Sequence, residues 1–496
     1  MNPRFRVFLV GTVFSILAIW VGISLAQEKR LLAFLLAGIS AWAVVSWTRG
    51  PLAEAWLLAF LVAGYLIGNR GFAQIMPFEG IPLLLGELGL AIAVPMVFLR
   101  GALTRSLPFQ RDWLHMLLAL WFALGAGRIL WDVRIHGLAA LRDFAMVYYV
   151  FYFFTARALL EHGPSRRLMH SAVLGVFVVL PVTGLLGMTF SEFFLTAFTL
   201  NGVPLIYYKG DLLATFLFTG FVLLVPRGAR ISWRDIWLWL AAVASLISGL
   251  LLLSRSSLVG LMLALAWLAW AGRWRPARTF AAVCAAGLLA VTVHSLLQKK
   301  DFAQTKAYAI YETVVSIADF SGTRSYRNTL SDDKGDNNRF RLVWWRNVIT
   351  ETATTSPLVG LGFGADLARG FLVEYYPTDD MEFSARSPHN IFLTTFGRMG
   401  AVGALTLLAI YWVQARLTAR TARALRRGEP LEDAMALQAS VWVVLVSSCF
   451  GVVLEGPMGA IPFWILLALA HQAASPEPAA AVVPDAPAAP GSATAS

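Results

Sequence analysis

Runs of about twenty consecutive apolar residues recur along most of this chain, and so many of them exclude a soluble fold. Windows of that length, enough for a helix to cross a hydrocarbon layer, centre near residues 17, 39, 60, 91, 122, 150, 178, 218, 245, 265, 288, 401, 445 and 465. In lipid, every backbone polar group has to be satisfied within the chain, and a helix does this within one segment. The expected fold is therefore all-α, a polytopic transmembrane helix bundle. Short windows such as Leu52 to Gly68 are also of a length for re-entrant segments, which sets the expectation at 12–14 spans.

Composition supports a lipid solvent. Of the 496 residues 58% are hydrophobic and 14% charged, and the mean hydropathy is +0.66, far from a soluble globular mixture. A net charge of +11 raises the question of nucleic acid. The basic residues, however, are scattered between apolar runs instead of interleaving with aromatics on one soluble face, so a bilayer is the expected partner and nucleic acid is not. Cys284 and Cys449 both lie inside apolar runs, which points to neither a disulfide framework nor a cysteine metal site. The first run, Val7 to Ala26, is followed by Gln27-Glu28-Lys29-Arg30 without a small-residue cleavage site, and reads as a span and not a cleaved signal.

Charge sets the orientation. With the N-terminus inside, the inner loops hold 20 Lys and Arg against 8 in the short outer loops, as the positive-inside rule requires. Both termini are then cytoplasmic and the long polar loop is outside. The chain divides into an N-terminal bundle of about 11 spans (1–297), an outer loop domain (298–388), C-terminal transmembrane helices (389–472) and a disordered Ala/Pro-rich tail (473–496).

The chemistry concentrates around that loop. Ser321 to Asn338 is polar and turn-rich; Asn337 or Asn338 is a candidate cap for a helix starting near Arg339. Arg341, Trp345 and Ile349 then fall on one face, while Trp344 and Trp345 suit a membrane interface, so the helix is expected to lie along the outer surface. Ser356-Pro357 ends it, and Gly360, Gly362 and Gly364 punctuate a structural turn. Asp332, Asp333 and Asp336 lack the spacing of a calcium loop and read as a solvated run. His389 follows Ser387-Pro388, a pair suited to cap and first position of a helix. The positive end of that helix favours a neutral imidazole, as a general base needs, with an acid limb of activity expected around six.

No D-x-D triplet is present to hold a metal on a nucleotide-sugar diphosphate. Arginines are the alternative. Arg255 sits in the turn Ser254-Arg255-Ser256-Ser257, on the side where the charge bias disfavours basic residues. Taken alone, it also fits an interfacial snorkel, Arg341 a lipid-headgroup contact, and His389 a structural role.

The combination resembles the O-antigen ligase and polymerase superfamily. It consists of apolar spans, the Ser254-Arg255 turn, Arg341 to Trp345, Pro357-Leu358-Val359-Gly360-Leu361-Gly362, and His389-Asn390-Ile391-Phe392-Leu393 followed by Gly400 to Gly403. The resemblance implies a GT-C type membrane glycosyltransferase of the bacterial inner membrane, inverting and metal-independent, with no cofactor and its active site facing the periplasm. Its donor would be an undecaprenyl-diphosphate-linked glycan and its acceptor lipid A-core or another glycan. Carried over, Arg255 and Arg341 hold the diphosphate, Arg339 is an alternative for the loop position, and His389 activates the acceptor hydroxyl. Within the superfamily a polymerase or a protein O-oligosaccharyltransferase is the rival. Outside it, a secondary transporter would need ionisable groups near the midplane, whereas the candidates here lie at the outer surface.

Overall fold

The computed structural model describes residues 50–76, 84–104, 110–200, 202–225, 232–298, 301–319, 329–375 and 386–475. The first two expected spans, near 17 and 39, lie outside these, as does the tail beyond 475.

Helices account for nearly all of the described secondary structure. Those of seven residues or more are α1 (Pro51–Ala63), α2 (Leu85–Thr104), α3 (Trp113–His136), α4 (Leu138–Tyr148), α5 (Phe151–Leu159), α6 (Gly163–Thr189), α7 (Gly210–Leu224) and α8 (Trp233–Leu251). There follow α9 (Arg255–Trp270), α10 (Arg275–Gln298), α11 (Lys306–Ala318), α12 (Thr329–Thr355), α13 (Arg369–Tyr375), α14 (Ile391–Arg426), α15 (Glu432–Ser448) and α16 (Pro457–Ala474). The strands described are a two-residue hairpin pair, Thr199–Leu200 with Val203–Pro204. Eight described segments are long and apolar enough to cross a membrane, with shorter apolar helices at Gly210–Leu224, Asp235–Leu251 and Arg255–Trp270. Together with α15 they supply a helix at every expected centre from 60 to 465, and the protein is an all-α polytopic membrane protein.

Local sequence explains where the helices begin. Asp112 caps α3 by accepting from His115 N at 3.0 Å, Ser232 and Asp235 form a reciprocal capping box on α8, and prolines stand in the first turns of α1, α6 and α16, where a missing N–H costs nothing. Burial then sorts the helices. Every residue of α7 from Leu212 to Leu224 is buried, as expected of a helix apolar on all sides at the centre of a bundle. In α10 only 6% of the spanning window is buried, so it faces lipid. Close approach of α9 to α15 is set at Gly260, where a Cβ would stand 2.6 Å from the Val443 carbonyl oxygen, a small-residue contact typical of membrane helices.

Polar contacts separate two ends of the bundle. At one, Glu54 pairs with Arg100 at 2.8 Å and Arg273 pairs with Glu432. There too the Asp112 carboxylate meets His115 Nδ1 at 2.7 Å and His471 Nε2 at 3.5 Å. This trio has a spacing compatible with a cation, yet Arg157 Nε donates to His471 Nδ1 at 3.3 Å. That leaves the ring proton on Nε2, the atom a cation would need, so the group is a hydrogen-bonded latch between α3, α5 and α16. At the other end lie Asn69, Lys209, Arg255, the described residues 301–319, 329–375 and 386–390, and the 449–456 turn. The grouping matches the alternation of the charge pattern.

Candidate functional site

The long loop is held as a structured cap by its own small core and by three buried charges. Trp344, Val348, Leu367, Ala368 and Phe371 form that core, with the Trp344 and Phe371 rings stacked 5.2 Å apart and Trp344 Nε1 donating to the Leu367 carbonyl at 2.7 Å. Trp344 is thus fully buried and does not lie at an interface, contrary to the sequence expectation. The helix also begins ten residues before Arg339, at Thr329. Asn338 does not cap it; its side chain reaches from mid-helix to the Ser316 and Asp319 carbonyls at 3.2 and 2.7 Å, tying α12 to the end of α11. Asp332, Asp333 and Asp336 fall within this helix and not in a loop.

The glycine turn behaves as expected. Gly360, Gly362 and Gly364 all have positive φ, which glycine adopts without steric cost. Their backbone docks onto the bundle: Phe363 N donates to Asp132 Oδ2 at 2.7 Å and Gly364 N to Asp143 Oδ2 at 2.9 Å. Arg398, only 2% exposed, pairs with Asp143 at 2.8 Å and donates to the Gly362 carbonyl at 3.2 Å and to that of Ala365. On the same face the backbone of 357–361 bonds that of α14, with Leu361 N to Gly397 O at 2.7 Å and Ala401 N to Pro357 O at 2.8 Å. Gly400 interrupts α14 with φ 63° and ψ −162°, and a Cβ there would collide with the Leu358 carbonyl.

This docking sets α12 over the Ser254-Arg255 turn. Arg255 and Arg341, distant in sequence, line one cavity of about 270 Å³. Its other lining residues are the polar Ser256, Ser316 and Asn338 and the apolar Val259, Leu342, Trp345 and Phe450. Arg255 Nη1 donates to the Ser316 carbonyl at 3.4 Å. Burial lowers the pKa of Arg341, partly offset by the charge of Asp211. Arg339, the alternative loop arginine, is exposed and is not part of the cavity; two residues along a helix turn a side chain to the opposite face.

His389 stands next to the cavity, joined to it by Trp345, whose Nε1 donates to the Pro388 carbonyl at 2.7 Å. Its ring packs edge-on against Trp344, centroids 5.8 Å apart, and its backbone is left-handed, φ 57°. Its cap differs from expectation. Asn390, not Ser387, caps α14, accepting from Phe392 N at 3.0 Å and Leu393 N at 3.2 Å; Ser387 instead accepts from His389 N at 3.3 Å. The imidazole is held neutral by burial first and then by the charges of Arg341 and Lys209, which bring its pKa down to about 4 against the opposing pull of Asp211.

Sequence reasoning missed several groups here. Lys209 and Asp211, paired at 3.5 Å, flank the start of α7. Glu455 accepts from Thr394 Oγ1 at 3.0 Å, and its burial raises its pKa. Charged residues at the mouth of an apolar run were the available signal, the same one that picked out Arg255. Nothing local linked Asp132 or Asp143 to the glycine turn or to Arg398: Asp132 and Phe363 are 231 residues apart, and Asp143 and Arg398 are further apart still.

Residues 240–408 match the family model described as O-antigen ligase. No curated protein matches the chain. The matched stretch contains Arg255, Arg341 and His389 and excludes Lys209, Asp211 and Glu455. From α8 into α14, the chain is similar to the O-antigen ligase family.

Proposed function

We propose that this protein is an inverting membrane glycosyltransferase that moves a glycan from an undecaprenyl-diphosphate carrier to an acceptor hydroxyl at the periplasmic face of a bacterial inner membrane. The acceptor in this reading is lipid A-core, which makes the enzyme an O-antigen ligase. The observation that carries it is the cavity shared by Arg255 and Arg341, lined also by serines, an asparagine and apolar side chains. A prenyl diphosphate likewise combines a polar head with an apolar chain.

The mechanism follows from the groups present. Guanidinium groups bind diphosphate oxygens in a forked geometry and stay charged at all working pH. Arg255 and Arg341 therefore stabilise the charge that develops on the leaving diphosphate, a task that needs no divalent cation. Neutral His389 takes the proton of the acceptor hydroxyl as its oxygen attacks the anomeric carbon. Attack from the face opposite the diphosphate inverts that carbon. Arg398, Asp132 and Asp143 act at a distance by holding the cap in place.

The test is transfer by purified full-length protein in vesicles, supplied with lipid-linked glycan and lipid A-core. Capped lipid A-core should form at a rate that a chelator leaves unchanged. Elongated lipid-linked glycan as sole product would make the enzyme a polymerase, and a rate abolished by chelator and restored by magnesium would overturn the arginine clamp.

A further inference from the structure

We propose that Asp211 forms the acceptor side of the site, its carboxylate taking a hydrogen bond from a sugar hydroxyl next to the one that attacks. This rests on the glycosyl-transfer reading above and adds a residue outside the stretch that matches the family.

Asp211 is firmly mounted. It lies in the first turn of α7, and its carbonyl accepts from Ser257 Oγ at 3.2 Å and Thr215 Oγ1 at 2.9 Å, which pins it to the turn that carries Arg255. On its other side, Lys209 N donates to Asn69 Oδ1 at 3.0 Å. The side chain is not closed in: it is 37% exposed, with Lys209 Nζ at 3.5 Å as its ion-pair partner. Glu455, by contrast, has its carboxylate enclosed and bonded by Thr394.

Position decides what such a carboxylate can bind. Asp211 is absent from the lining of the arginine cavity, and a diphosphate there would be repelled by it. It nevertheless sits at the cavity's edge: Ser257, which bonds its carbonyl, is next to Ser256 of the lining, and a Cβ on Gly451, next to Phe450 of the lining, would stand 3.7 Å from its Oδ2; its charge also acts on Arg341 and His389. An ionised carboxylate only accepts hydrogen bonds. Sugar hydroxyls are neutral donors, and bonds to a charged acceptor are among the stronger ones. A glycan acceptor approaching His389 would present its hydroxyls to this group.

Full-length protein in vesicles, with lipid-linked donor and varied lipid A-core, tests the assignment in Asp211→Ala and the isosteric Asp211→Asn. The expected result is an acceptor KM raised about ten- to hundred-fold in Asp211→Ala, with partial recovery in Asp211→Asn. Donor KM should not rise, and undecaprenyl diphosphate binding without acceptor should be as tight or tighter, because a competing anion has gone. A rise in donor KM, or weaker diphosphate binding, with acceptor KM unchanged would overturn the proposal. So would loss of thermal stability in both variants with unaltered KM values, the mark of a packing role. If the wild type transfers nothing, the glycosyl-transfer reading fails first and this one with it.

Discussion

A histidine that acts as a base has to be neutral when the acceptor arrives, and His389 meets that condition through its surroundings more than through its helix. Burial and the neighbouring cations Arg341 and Lys209 lower its pKa to about 4 from an ordinary 6.5. At neutral pH it is unprotonated; activity falls only as pH drops through the lowered value, so the acid limb of kcat/KM is expected near 4 and not near six. A diphosphate on Arg341 would cancel one of the repelling charges and strengthen the base. Because kcat reports the complex with substrate, its acid limb should lie above that of kcat/KM. Rate profiles against pH check both, and His389→Ala should flatten the limbs while lowering kcat about a hundred-fold or more. The same shift links to stability: between about 6.5 and 4 the unfolded chain takes up a proton that the folded one refuses, so stability declines as pH falls through that window. His389→Gln should lessen that decline, as read by thermal unfolding.

The loop domain works as an element because its glycine turn is clamped to the bundle. Gly400 is needed for its positive φ and for the close pass of Leu358. Gly400→Ala therefore puts strain and a collision in the same place, and a lower unfolding temperature together with lost transfer is the expected outcome. Arg398→Met leaves Asp143 with one arginine partner, Arg386 at 3.3 Å, and strips three carbonyls, those of Gly362, Ala365 and Arg386, of a donor. Removing one member of a buried pair costs about 3–5 kcal/mol, which denaturation of the detergent-solubilised variant measures. The turn itself was legible in sequence because Ser356-Pro357 stops a helix and alternating glycines permit left-handed backbone. Its docking was not legible: Asp132 stands four residues after Arg128 and Asp143 next to Arg142, an ordinary local charge pattern, and only the folded chain brings them and Arg398 to the turn. The start of α12 was misjudged for a related reason: Asn338 is a good cap by type, but the carbonyls of α11 claim its side chain.

At the scale of the molecule, span positions were readable because lipid demands long apolar helices, whereas which side chains meet at the site depends on how the cap lies over α9. The sequence puts Arg341 first and leaves Arg339 as the alternative, and helix phase separates them: Arg339 is exposed and Arg341 lines the cavity. On the charge pattern we propose that the site end faces the periplasm. Cysteines introduced at Ser325 and Gly428 should label from opposite sides, Ser325 from outside; labelling of Gly428 alone from outside would reverse the orientation. The central claim is that Arg255 and Arg341 together hold a lipid diphosphate, and equilibrium binding of undecaprenyl diphosphate to the purified protein tests it most directly. Arg255→Lys and Arg341→Lys should each weaken binding about ten-fold or more, because lysine keeps the charge without the fork, while Arg339→Lys should bind as the wild type does. Wild-type binding in both cavity variants, or a loss confined to Arg339→Lys, would contradict the account.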